Sequence, residues 1–109
     1  MQPAAPLDYR ETLEVLADWA GREVLVISHS QAPQAMSHTQ VTLRGVLGEV
    51  QMVDNEIDRT VQSVAAFAVG DAAGGVYLSA GDFVHTVRLA RGHVNIKFEH
   101  DLHIEVRIA

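Results

Sequence analysis

His93-Val94-Asn95-Ile96-Lys97-Phe98-Glu99-His100-Asp101-Leu102-His103-Ile104-Glu105-Val106-Arg107-Ile108 alternates apolar and polar residues without a break on either side of its centre. Val94, Ile96, Phe98, Leu102, Ile104, Val106 and Ile108 share one parity, and the polar residues other than the central His100 share the other. A period of two marks a strand with one buried face. One straight strand of this length would reach ~53 Å at ~3.3 Å per residue, too long for a small domain. The chain is therefore expected to fold back at Glu99-His100-Asp101. A two-residue loop would set Glu99 against Leu102 and bring opposite faces together. A three-residue loop pairs Phe98 with Leu102, Ile96 with Ile104 and Val94 with Val106. It also sets Lys97 opposite His103, Asn95 opposite Glu105 and His93 opposite Arg107, and this is the predicted register. The apolar face of the hairpin must bury against the rest of the domain or a partner chain.

Towards the N-terminus the same period recurs in short pieces. Val76–Leu78 and Phe83–Leu89 read as strands separated by Ala80-Gly81-Asp82, and Arg91-Gly92 reads as a turn. Thr60–Val69 is a further strand, followed by a turn or short loop from Gly70 to Gly75. Thr39–Val53 reads as one long strand, with Gly45 and Gly48 where a sheet can bend or bulge. Asp54-Asn55-Glu56 looks like a turn. Ser28–His38, polar and carrying Pro33, reads as a loop. Val24–Ile27 is apolar on both faces, as a buried strand is. Before it, Tyr9, Leu13, Leu16 and Ala20 repeat at spacings of four, three and four, so Asp8–Ala20 is expected to be helical. Asp8, Glu11 and Glu14 suit the positive end of that helix, and Gly21 suits its exit. One helix followed by six or seven closely spaced strands points to a mainly β small barrel.

The chain has 109 residues, no cysteine and a formal charge of −6. One domain is expected at this length. Without cysteine there is no disulfide framework, thiolate zinc site or cysteine nucleophile. The acidic balance opposes the electrostatic term on which nucleic-acid binders rely. No apolar run is long enough to span a membrane, so no membrane partner is expected. Met1-Gln2-Pro3-Ala4-Ala5-Pro6 has neither a basic nor an apolar leader segment, so residues 1–7 are expected to form a flexible lead and a cytoplasmic location is anticipated.

Constellations for chemistry are sparse. His100 and His103 stand three apart, and His29 and His38 bracket the polar loop, but neither pair sits on one turn of a helix and no His-Glu-x-x-His element occurs. No metal site is expected. Asp54, Glu56 and Asp58 gather at the anticipated turn, as acidic residues commonly do. Ser79 and His85 lack the glycine pattern of a nucleophile elbow. No phosphate-cradling glycine loop opens a helix, so no cofactor and no enzymatic activity are expected.

A helix, a strand and then a long glycine-bent strand resemble the start of the Sm/LSm family. Leu16–Val26, in which Gly21-Arg22 precedes alternating valines, looks like that family's helix exit and first strand. Gly45-Val46-Leu47 is similar to the opening of its first motif, and Asn55 stands ten residues after that glycine, where the family has asparagine. Gln51 stands where the family usually has aspartate. Gly75-Val76-Tyr77-Leu78-Ser79-Ala80-Gly81-Asp82-Phe83-Val84 keeps both glycines of the second motif, with Ala80 at its arginine position. The match runs from about Leu13 to Leu89. The resemblance implies a strongly bent Sm-like (SH3-like) barrel over 8–91 with its N-terminal helix, and 92–109 becomes an added hairpin packed on the same domain. It also implies a homo-oligomeric ring of about six or seven subunits joined through open edges at Val76–Leu78 or Phe83–Leu89. In the family, asparagine and arginine form a pocket for uridine-rich single-stranded RNA. Here that implies Asn55 as the principal contact, with Gln51, Gly81 and Tyr77 beside it and His85 or Tyr77 as the stand-in for a stacking plane. The missing arginine and the acids Asp54, Glu56 and Asp58 around Asn55 favour the other expectation: an oligomeric protein-binding scaffold with no nucleic-acid activity.

Overall fold

The computed structural model describes residues 5–31, 38–57, 60–70, 75–99 and 101–109, with side chains described outside 31–40 and 53–63. The order is α1 (Tyr9–Asp18), β1 (Glu23–Gln31), β2 (His38–Ile57), β3 (Thr60–Val69), β4 (Gly75–Ser79), β5 (Phe83–Ala90), β6 (His93–Phe98) and β7 (Leu102–Ile108). The fold is mainly β, with one short helix and a single antiparallel sheet in the order β4-β3-β2-β1-β7-β6-β5. Among the described residues no helix is long and apolar enough to cross a membrane.

The terminal hairpin takes the predicted register, from His93↔Arg107 and Val94↔Val106 to Ile96↔Ile104 and Lys97↔His103. Asp101 in its loop has φ +58°, a left-handed conformation that aspartate tolerates better than most residues. Val94, Ile96, Phe98, Ile104 and Val106 are buried, as their parity requires. The hairpin is not laid over a face of a finished barrel, however. β7 pairs with β1 along Val24↔Ile108 to Ser30↔Leu102, and β6 pairs with β5. The hairpin therefore fills the sheet between β1 and β5.

The long strand bends where glycine allows it. The β2–β3 register shifts between Leu47 and Val50, across Gly48. Gly45 packs against the backbone of Gly70, so closely that a Cβ on it would lie 2.9 Å from the Gly70 Cα. Three expectations are corrected. Asp54, Asn55 and Glu56 lie in β2, paired with Ser63, Gln62 and Val61, and Ile57 pairs with Thr60. The polar stretch from Ser28 to Gln31 continues β1, and His38 begins β2 opposite Gln31. β1 is an interior strand bonded on both sides, and ladder bonds hold polar residues in strand conformation as firmly as apolar ones. Leu25 and Ile27 are half-buried, whereas Val24 and Val26 are fully inside, so β1 has one core face.

The sheet wraps one core. Phe67 and Val69 of β3, Val76 and Leu78 of β4, Ile96 of β6 and Val106 of β7 meet Leu16 and Trp19 of α1. The helix is fixed at its start by a capping box. The Asp8 carboxylate accepts from the Glu11 N–H at 2.8 Å, and the Asp8 N–H donates to the Glu11 carboxylate at 3.1 Å. Removing the cap with Asp8→Ala is expected to cost about 0.5–2 kcal/mol in urea denaturation, because the first-turn N–H groups lose their acceptor. Thr12 lies three after Tyr9 and four before Leu16, and so falls on the buried stripe. Its hydroxyl donates to the Asp8 carbonyl at 2.7 Å and lies 2.7 Å from the hydroxyl of buried Thr86 on β5. Residues 1–7 are not wholly a free lead, because Leu7 forms an antiparallel bridge with Thr86.

Candidate functional site: two sheet edges and the cleft beside them

The sheet ends on β4 and β5, the two strands flanking Ala80-Gly81-Asp82. They do not pair with each other among the described residues, so the sheet is not closed there. Gly75 explains how close β4 lies to β3. A Cβ on Gly75 would come within 2.5 Å of the Phe67 carbonyl oxygen. On the other side β4 is held by Tyr9, whose hydroxyl donates to the Leu78 carbonyl at 2.6 Å. Burial pushes the Tyr9 phenol above the usual tyrosine range, so it stays a neutral donor. The Tyr9 ring meets Phe83 edge-on at 5.4 Å between centroids, and Phe83 in turn meets Phe98 edge-on. Tyr9 thus ties the end of β4 to the start of β5.

Beside the edge of β4 lies a cleft of about 300 Å³, with Val26, Leu43, Val76 and Ile104 as its apolar lining and Ser28 and Tyr77 as its polar groups. Tyr77 also lines a second hollow of about 370 Å³ bordered by Ser30, Ser79, Asp82 and Glu99. On β5 the side chains of Val84, Val87 and Leu89 are exposed, as is Tyr77 on β4 at 64%. Exposed apolar groups on unpaired edge strands are a template for strand addition, and natural sheets otherwise cover or charge them.

The residues anticipated for RNA are brought only partly together. Gln51 pairs with Ala66, and Ala66 with Tyr77, so Gln51 and Tyr77 share one face in one cross-strand row with a small alanine between them. Both are exposed. Asn55 lies four residues farther along β2, ~13 Å by strand rise, paired with Gln62. Gly81 lies in the β4–β5 connection. Among the described residues this is a row and two outliers. Asn55 stands in a ladder, and its side chain lies outside the described ones.

The histidines contain an arrangement of which the sequence predicted only one step, Lys97 opposite His103. His29 is the register partner of His103, His103 of Lys97, and Lys97 of His85, so four basic or titratable residues form one row across β1, β7, β6 and β5. Register alone creates the row, because its members come from four separate segments. Glu99, Asp101 and Glu105 flank it within two residues along the chain, and His93 Nε2 lies 3.7 Å from the Glu105 carboxylate. Among the described residues no three His, Asp or Glu side chains gather as metal ligands. His100, and the His38 side chain, lie outside the described residues. No hydrogen bond joins Ser79 to His85 among the described residues.

Comparison with family models, with curated proteins and with solved structures gives no match.

Proposed function

We propose that the protein is a non-enzymatic, Sm-like assembling module, a homo-oligomer built by strand addition that serves as a scaffold for other proteins. The observation that carries this reading is the pair of sheet edges. β4 and β5 stand at the two ends of one sheet, with a cleft along β4 and exposed apolar side chains on β5. Adding β4 of one copy to β5 of the next is a head-to-tail contact, and such a contact closes into a ring when its rotation divides the circle. The Sm-like resemblance supports about six or seven subunits by the same closure rule. The resemblance also implies a barrel closed by five strands, whereas here the terminal hairpin stands between β1 and β5.

The charge of the chain supports protein rather than RNA as the partner. The formal net charge is −6, Ala80 replaces the arginine of the family pocket, and Asp54 and Glu56 flank Asn55. The assembly is tested by light scattering coupled to size exclusion. The wild type is expected to run as a multimer at micromolar concentration, and the double variant Val87→Lys with Leu89→Lys as a monomer of unchanged fold, because lysine blocks edge pairing at little cost to an exposed strand. A wild-type monomer would sink the reading. Titration of labelled oligo-uridine and oligo-adenine decides the partner class. No saturable binding is expected even at low salt, where phosphate attraction is strongest. Binding that persists at moderate salt would make the protein an RNA module instead.

A further inference from the structure

The β5 edge is already paired with backbone of the chain itself. The Leu7 N–H donates to the Thr86 carbonyl at 2.8 Å, and the Thr86 N–H donates to the Leu7 carbonyl at 3.1 Å. Both backbone groups of Thr86 are therefore turned away from Ile96, its register partner on β6. In an antiparallel ladder this makes Thr86–Ile96 a non-hydrogen-bonded pair and assigns the Thr86 N–H and C=O to the outer edge of β5. Alternation gives Arg88 the same role two residues on, before the register shifts. Leu7 thus holds the backbone groups of one of these two outward-facing residues.

The grip is reinforced from the helix. Thr12 brings its hydroxyl to 2.7 Å from that of Thr86, and Thr86 is 0% exposed although it sits on an edge strand. The capping box at Asp8, the residue after Leu7, fixes the direction in which the lead enters the helix. A strand of a second copy that paired along β5 would need the same N–H and C=O of Thr86.

We propose that the N-terminal lead is a built-in brake on assembly, a one-residue strap at Leu7 that an incoming β4 must displace from Thr86. This rests on the strand-addition reading above. A two-bond strap is weaker than a five-residue strand, so it raises the concentration at which copies associate without preventing association.

The test is sedimentation of four proteins over a wide concentration range: wild type, Leu7→Ala, Leu7→Pro, and a form lacking residues 2–7. Leu7→Ala keeps both backbone bonds and is expected to behave as wild type. Leu7→Pro removes the donor, and the shortened form removes the strap. The shortened form is expected to assemble at about tenfold lower concentration, the weight of two net hydrogen bonds, and Leu7→Pro, which loses one of the two, at about threefold lower concentration. If all four assemble at the same concentration, the brake is overturned and strand addition stands. If none assembles at any concentration, both fall. Amide exchange on the wild type needs no variant: the Leu7 amide must lose protection on assembly while Thr86 keeps it. A Leu7 amide still protected in the oligomer would overturn the strap even if the variants proved unstable.

Discussion

Phe67→Ala is expected to cost about 3–5 kcal/mol, a large fraction of the ~5–15 kcal/mol that holds a domain of this size together. Phe67 heads the largest fully buried side chains, at 1% exposure, and lies on β3 between Val50 of β2 and Val76 of β4. Truncation removes the transfer free energy of the ring and leaves a cavity. The surrounding strands are cross-linked by ladder bonds and can collapse into it only partly. Urea denaturation should show the midpoint falling with an unchanged slope, the sign of lost stability rather than an altered unfolded state. A loss below about 1 kcal/mol would mean that β3 does not run through the centre of the core.

Gly75→Ala is expected to free β4 from the sheet. The added Cβ would lie 2.5 Å from the Phe67 carbonyl oxygen, which is backbone, so no side-chain rotation relieves the clash. β4 or β3 must shift, and the Ala68↔Gly75 end of the pairing is the nearest place to give way. Overpacking of this kind costs about 1–3 kcal/mol. Here it falls on a five-residue edge strand, so the local effect should exceed the global one. Amide exchange should show the β4 amides that bond to β3 losing protection while β6 and β7 keep theirs. If β4 carries the assembly contact, the same substitution should also abolish the multimer. Protection in β4 equal to that of the wild type would contradict the close approach.

Much of the fold was legible because it is local. The parity of Val94 to Ile108 and the three residues at its centre were enough to set the hairpin register, since a one-residue slip would turn every apolar side chain outward. The helix was legible from its stripe, and Thr12 could have been added to that face from its spacing alone. Asp54-Asn55-Glu56 misled for the opposite reason. Their turn preference is a weak bias, and pairing with Val61, Gln62 and Ser63 overrode it. The site was less legible than the fold. Gln51 and Tyr77 meet across Ala66, and His29 meets His103, only through strand pairings that no spacing in one segment encodes.

The sequence by itself determined the helix, the central part of each strand and how the last two strands pair. Those properties follow from period, parity and loop length within a few residues. The tertiary structure alone decided which distant strands are neighbours. Valine- and isoleucine-rich faces are chemically interchangeable, so their pattern does not say that the terminal hairpin inserts between β1 and β5. That single choice leaves β4 and β5 as the sheet's two ends, and it presents Thr86 to Leu7.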